Sequence, residues 1–308
     1  MLKNNAFTKD NAIMKDDTFT KSDAAMKDDA VIKDDTFTKD DDAAIKVERL
    51  IKNYKDITAV DDISFEVKRG EFFAFLGPNG AGKTTTIKIL CTLIRQSSGN
   101  AFINGYDNVR EKQNVRKSIG LVFQDPTLDN DLTVYENLMF HAELYGMEKK
   151  LAKERIDYLL NFIDLYNFKN KLIKFLSGGM KRRLEVGRGL LHSPTVLFLD
   201  EPTVGLDIQT RINMWNFIDR LRDEEKITVF LTTHYIEEAE NCDRIAIINE
   251  GKIVAIDSPS NLKNLIKNED GGIPTLSDVF IYMVGKEIRN EAGTSIDRMR
   301  EFSKVIKK

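Results

Sequence analysis

Cysteine is scarce in this 308-residue chain, and so is histidine. The two cysteines, Cys91 and Cys242, form no CxxC and have no metal-ligand spacing. That excludes a disulfide scaffold and a cysteine-based metal site, and predicts a reduced, intracellular protein. A formal net charge of −3 gives no general attraction to nucleic acid, although a local basic patch is compatible with it. Long apolar runs are missing too. The stretches 72–76 and 279–284 fall far short of the ~20 residues needed to span a bilayer. Any membrane role must therefore pass through a partner chain. No basic-then-apolar stretch opens the sequence, so no secretory leader is expected. What remains, 42 % hydrophobic and 31 % charged, is the composition of a soluble globular protein with room for one large or two modest domains.

Residues 6–41 are a six-residue repeat. A lysine recurs at every sixth position from Lys9 to Lys39, usually followed by acids, and KDDTFTK occurs twice. Six is neither a helical nor a heptad period. The units hold too little apolar surface to offset their ordering entropy. Residues 1–43 are accordingly expected to be a disordered acidic tail, with a regular β array on the even period as the alternative.

Beyond Ala44 the texture changes. Residues 45–50 suit a first strand, and 63–67 alternate apolar and polar as a half-buried strand does. The apolar run 72–76 leads directly into Gly77-Pro78-Asn79-Gly80-Ala81-Gly82-Lys83-Thr84-Thr85. This is G-x-x-x-x-G-K-[ST] between a strand and a helix predicted over 84–93. Glycines let backbone N–H groups face phosphates, a lysine neutralises the β and γ groups, and a threonine hydroxyl ligates magnesium. Binding of ATP or GTP follows.

A second stretch, 176–207, reads LSGGMKRRLEVGRGLLHSPTVLFLDEPTVGLD. Ser177-Gly178-Gly179 is expected as a turn opening a helix, with N–H groups free for an anion. Pro194 closes that helix. Residues 196–199 suit a central parallel strand. It ends in Asp200-Glu201, where open α/β sheets place their ligands. Asp200 is a candidate magnesium ligand and Glu201 a candidate base.

The glycine loop, LSGGM and the strand ending in Asp200-Glu201, in that order, resemble the nucleotide-binding subunit of an ABC transporter over roughly residues 46–285. Met180 stands where the family usually has glutamine. With Lys181-Arg182-Arg183 after it, it is similar to the daunorubicin-resistance, drug- and lipid-exporter branch. The resemblance implies a P-loop NTPase (RecA-like) α/β core with an antiparallel β subdomain and a helical signature-motif subdomain. It divides the chain into the tail, an ATPase domain at 44–258 with its helical part at about 125–190, and a C-terminal helical extension at 259–308.

It also implies roles for single residues. Tyr54 matches the aromatic on which adenine stacks; by itself it reads equally as a core or surface tyrosine. Gln124 matches the residue linking magnesium (Mg2+) and the attacking water to the membrane partner. His234 matches the switch histidine at the γ-phosphate. Asp207 matches the loop between paired subunits, and as bare sequence also reads as the N-cap of a helix over 208–221. His141 and His192 read as structural or exposed. Thr84, Asp200 and Gln124 would hold Mg2+, with Glu201 as the catalytic base. Ser177, Gly178 and Gly179 would meet the ATP of a second copy or a related ATPase subunit.

The expected partner is a separate transmembrane permease, the location the cytoplasmic face of the membrane, and the function export of drug-like or lipid-like compounds powered by ATP. An exposed apolar patch around 123–134 would form the permease docking surface, so charge reversal at Asp129 or Asp131 would weaken assembly. The alternatives are a soluble ABC-type ATPase acting on nucleic acid or ribosomes, and a kinase or GTPase. A single ATPase unit without a long basic tract opposes the first of these. LSGGM, and the lack of an Asn-Lys-x-Asp motif, oppose the second. No nucleic-acid partner is expected.

Overall fold

The computed structural model describes residues 42–266 and 274–291. The expectations for the repeat and for the last part of the C-terminal helical extension, 292–308, lie outside them.

Two sheets are stacked. The first is antiparallel, in the order β2 (Ile57–Lys68), β1 (Ala43–Tyr54), β4 (Ser98–Ile103), β5 (Tyr106–Asp107). The second runs β10 (Lys252–Asp257), β9 (Arg244–Asn249), β3 (Phe72–Leu76), β8 (Thr228–Thr233), β7 (Val196–Asp200), β6 (Ile119–Val122). Its strands from β9 to β6 are parallel, and β10 is an antiparallel edge.

The parallel strands show why their sequences are apolar along the middle. Alternate residues of a strand face opposite sides of a sheet. Phe73 and Phe75 of β3, Phe198 of β7 and Phe230 of β8 enter a core shared with the first sheet. Phe72, Ala74, Leu197, Leu199, Val229 and Leu231 enter a second core on the helical side. Both faces are dry along the middle of these strands, and polar residues such as Thr228, Asp200, Thr232 and Thr233 stand at their ends. In the shared core Phe65 of β2 lies 5.7 Å from Phe73, and Phe75 and Phe198 lie 5.3 and 5.5 Å from Phe230, centroid to centroid.

α1 (Lys83–Leu90) and α2 (Lys112–Ser118) add Ile87, Ile89, Leu90 and Val115 to the core shared with the first sheet. The helical side carries α3 (Val134–Leu144), α4 (Lys149–Phe162), α5 (Gly178–Gly189), α6 (Ile208–Glu225), α7 (Ile236–Ala239), α8 (Pro259–Asn264) and α9 (Leu276–Glu291). Caps set several of their starts. Thr133 and Glu136 make a reciprocal capping box, which sets the start of α3 at Val134. Asp207 caps α6 as its sequence suggests. α9 runs past Val284, with Leu276 and Val279 buried in the helical-side core. β4, β5 and α2 carry no clear period in sequence. β4 becomes a strand through tertiary pairing with β1, as in Ile45↔Ile103.

Phe230 is fully buried among four other phenylalanines. Phe230→Ala should lose the transfer energy and leave a cavity, about 3–5 kcal/mol in all. Urea unfolding of the full chain checks this, and a loss below about 1 kcal/mol would show that the two cores can collapse around the gap.

Candidate functional site

Three parallel strands, β3, β8 and β7, end side by side, and the cavity opens at their C-terminal edge. The loop after β3 needs two of its glycines for steric reasons. A Cβ at Gly77 would lie 2.2 Å from the Ile248 carbonyl, and one at Gly82 would lie 2.4 Å from that of Ala59. Gly82 also has φ +100°, a left-handed conformation that glycine adopts at little cost. As the N-cap of α1, Gly82 starts the helix one residue before the expected Thr84. The helix N-terminus, with its partial positive charge, thus faces a cavity of about 400 Å³.

Lys83 is 4 % exposed, and its ammonium donates to the carbonyls of Gly77 (2.8 Å) and Pro78 (3.0 Å). Glu201 Oε1 lies 3.3 Å from the same nitrogen. Thr84 donates its hydroxyl to Asp200 Oδ1 at 3.2 Å, and Thr232 donates to the same oxygen at 2.6 Å. Glu201 has φ +46°, unusual without a glycine. Such strain costs about 1–3 kcal/mol and persists where surroundings over-determine it. Here the Glu201 N–H is directed at both the carbonyl and the hydroxyl of Thr232, at 3.2 and 3.1 Å. His234 Nδ1 lies 3.3 Å from Glu201 Oε2, without hydrogen-bond alignment.

The structure therefore gathers Asn79, Gly80, Gly82, Lys83, Thr84, Thr85, Gln124, Glu201 and His234 around one cavity. Asp200 sits just behind, through Thr84. Gly77, Pro78 and Ala81 shape the loop without lining the cavity. Tyr54 lies at the exposed end of β1, with the Lys52 ammonium 4.9 Å from its ring. Ser177 is the N-cap of α5, its hydroxyl accepting from the Met180 N–H, and Gly178 and Gly179 lie in the first helical turn rather than before it. Asp207 accepts from the hydroxyl and N–H of Thr210, which hold its carboxyl below the ordinary range. Like the signature residues, it does not line the cavity.

Sequence reading missed Ala59 and Val204, which line the cavity without any local signal. It also missed the buried Glu238, whose carboxylate accepts from Thr203 and, at 2.7 Å, from Thr233. That bond pair ties the turn after Glu201 to the residue before His234.

The expected docking patch at 123–134 is corrected. Leu128 and Val134 are buried in the core, and Asp131 pairs with Lys174 at 3.3 Å. Exposed apolar side chains lie further on, at Phe140 and Leu144 of α3 and at Tyr145, its C-cap. They line a groove of about 470 Å³ with Leu93, Leu121 and Arg188.

Strand order, the glycine loop and paired acids at a strand end define a P-loop NTPase fold. Residues 60–204 match the ABC transporter family. The chain is 42 % identical over 219 residues to the linearmycin resistance ATP-binding protein of Bacillus subtilis, covering 71 % of this chain and 70 % of that protein. It is 41 % identical over 226 residues to the doxorubicin resistance ATP-binding protein of Mycobacterium tuberculosis, covering 72 % and 68 %. The chain belongs to the ABC transporter family. A probable multidrug ABC transporter ATP-binding protein of Escherichia coli is 38 % identical over 253 residues, which cover 81 % of this chain but 44 % of that protein. The chain thus spans under half the length of that relative.

Among solved structures, cbiO1 of Clostridium perfringens, part of the transporter complex cbiONQ, superposes with a TM-score of 0.68 at 28 % identity, covering 86 % of this chain and all of that one. A dimeric ATP-binding cassette in a post-hydrolysis state with ADP and Pi gives 0.62 at 28 % identity, covering 70 % and 98 %.

His141, on the groove, has its pKa pushed down to about 4 by burial first, then by the charges of Arg188 and His192. An unfolded chain takes up this proton near pH 6.5. The stability contributed by neutral His141 is therefore complete above that pH and is lost as pH falls toward 4. The melting temperature of the wild type should drop more steeply than that of His141→Gln between pH 6.5 and 4. Parallel curves would show that the folded site accepts the proton freely.

Proposed function

We propose that this chain binds ATP with Mg2+ and hydrolyses it as the motor subunit of an exporter of drug-like or lipid-like compounds. The observation that carries the reading is the buried Lys83 ammonium, set between loop carbonyls and Glu201 in a cavity at a helix N-terminus. Relatives named for drug resistance support export. Among the described residues no helix is long and apolar enough to cross a membrane. The cargo path then belongs to a permease, with this chain at the cytoplasmic membrane face.

Lys83 would exchange Glu201 for the β- and γ-phosphates, and Asn79, Gly80 and Gly82 would wrap them with backbone. Thr84 and Asp200, a hydroxyl and a carboxylate 3.2 Å apart, fit Mg2+, which takes hard oxygen ligands and usually keeps waters and substrate phosphates. When bound, that ion would neutralise charge developing between the β- and γ-phosphates. Gln124 would orient the water on the opposite side, and Glu201, released from Lys83, would take its proton. His234, beside Glu201, would meet the γ-phosphate. Tyr54 would supply a stacking face for the adenine. Ser177, Gly178 and Gly179 would act on the ATP of a second copy or related subunit, with Asp207 in the contact between the two. The groove on α3 would receive the permease.

Removing a general base costs roughly 10²–10⁴ in rate. Glu201→Gln should bind ATP and turn it over at that reduced rate, whereas Lys83→Ala should lose binding. Steady-state hydrolysis with fluorescent-nucleotide titration checks both, and near-normal turnover by Glu201→Gln would overturn the assignment. For the docking groove, Leu144→Asp should abolish co-purification of a multi-span membrane protein from detergent extracts and leave ATP affinity within about two-fold. Undiminished co-purification would move the docking surface elsewhere.

A further inference from the structure

Helix α5 carries Arg182, Glu185 and Arg188 at successive steps of three, so all three lie along one side. Arg182 is 7 % exposed and Glu185 1 %. A buried guanidinium is costly unless its donors are matched, and here each nitrogen has a partner. Nε donates to the Pro202 carbonyl at 2.7 Å. One terminal nitrogen donates to the carbonyls of Asp200 (3.1 Å) and Glu201 (3.3 Å). The other donates to the Phe123 carbonyl and lies 3.2 Å from Glu185 Oε2.

All four carbonyls lie beyond one boundary. The ladder between β6 and β7 ends at Val122↔Leu199. Past that pair the two backbones have no mutual ladder, and there the chain must aim Gln124 and Glu201 into the cavity. Arg182 reaches across this gap. Its planar fork can reach acceptors in several directions at once, which the single ammonium of a lysine cannot reproduce. The remaining members of the row fix the loop after β6. Glu185 Oε1 accepts the Thr127 N–H at 2.7 Å. Arg188 donates to the Thr127 carbonyl at 2.9 Å and to its hydroxyl. The row ends at the α3 groove, which Thr127 and Arg188 both line.

We propose that Arg182 is a positioning residue for ATP hydrolysis. With Glu185 it holds the strand ends that carry Gln124 and Glu201 at the spacing the attacking water requires. The inference rests on the reading of Glu201 as the base. It predicts a particular kinetic signature, because Arg182 touches neither the glycine loop nor Lys83. A merely structural residue would lower stability and nucleotide affinity together. A positioning residue lowers kcat and leaves affinity alone.

The test uses the full chain and Mg-ATP, comparing wild type with Arg182→Lys, Glu185→Gln and Glu201→Gln for kcat, KM, nucleotide Kd and melting temperature. Misplacing a catalytic group by about 1 Å costs on the order of 10²-fold. Arg182→Lys should therefore lose roughly 10- to 100-fold in kcat with Kd within about two-fold. Glu185→Gln keeps an acceptor for Thr127 and the shape of the site. Its kcat should fall several-fold at unchanged Kd, and it decides the question if Arg182→Lys does not fold. Wild-type kcat in the folded Arg182→Lys, or in Glu185→Gln alone when Arg182→Lys is unfolded, would overturn the inference. So would equal losses of kcat and affinity. If Glu201→Gln abolishes turnover in the same assay, such a result sinks the role of Arg182 alone; if Glu201→Gln turns over normally, the functional reading itself fails.

Discussion

A buried ammonium next to a buried carboxylate is the constraint on which the site depends. Lys83 and Glu201 are both nearly inaccessible to water and lie 3.3 Å apart. Removing two charges from water costs several kcal/mol for each ion, and their attraction offsets it only if the remaining donors and acceptors are satisfied. The Gly77 and Pro78 carbonyls meet that condition for Lys83. The loop must therefore fold back over its own lysine, and only glycine at positions 77 and 82 lets it come so close to Ile248 and Ala59. An anion entering the cavity competes with Glu201 for the same ammonium. The pair thus links phosphate binding to freeing the carboxylate, with no further element needed.

What was legible in the sequence follows from how local each signal is. The run 72–76 and the glycine loop after it read correctly because strand, loop and helix are contiguous. The strand at 196–199 read correctly because both its faces are buried, so it is apolar at each of those positions, with Asp200 at its end. Asp207 is legible as a cap for the same reason: its partner, Thr210, is three residues away. The RecA-like expectation came from the family resemblance, which the glycine loop, LSGGM and the strand ending in Asp200-Glu201 carry. β4 was not legible, since SGNAFI becomes a strand only by lying against β1. The apolar stretch at 123–134 misled because hydrophobicity does not tell an exposed patch from a core segment. Leu128 and Val134 point inward, while Phe140 and Leu144, one to three turns on, remain outside. Glu238 and Arg182 act on residues far away in the chain, and no spacing rule marks them.

The strand ends are restrained in two different ways. β3 and β8 are tied by the Gly77 N–H to the Thr233 carbonyl, and β8 and β7 by Thr232, which contacts both Asp200 and the Glu201 N–H. These are short bonds between residues of adjacent strands, and they leave Lys83, Asp200, Glu201 and His234 little freedom to separate. The end of β6 is held instead from outside the sheet, by side chains of α5. Arg182 of α5 also holds the Asp200 and Glu201 carbonyls, so the seating of α5 bears on the spacing between Gln124 and Glu201. The groove beside α3 adjoins that helix, and Arg188 belongs to both. Helix α5 therefore links one wall of that groove to the backbone around Gln124 and Glu201.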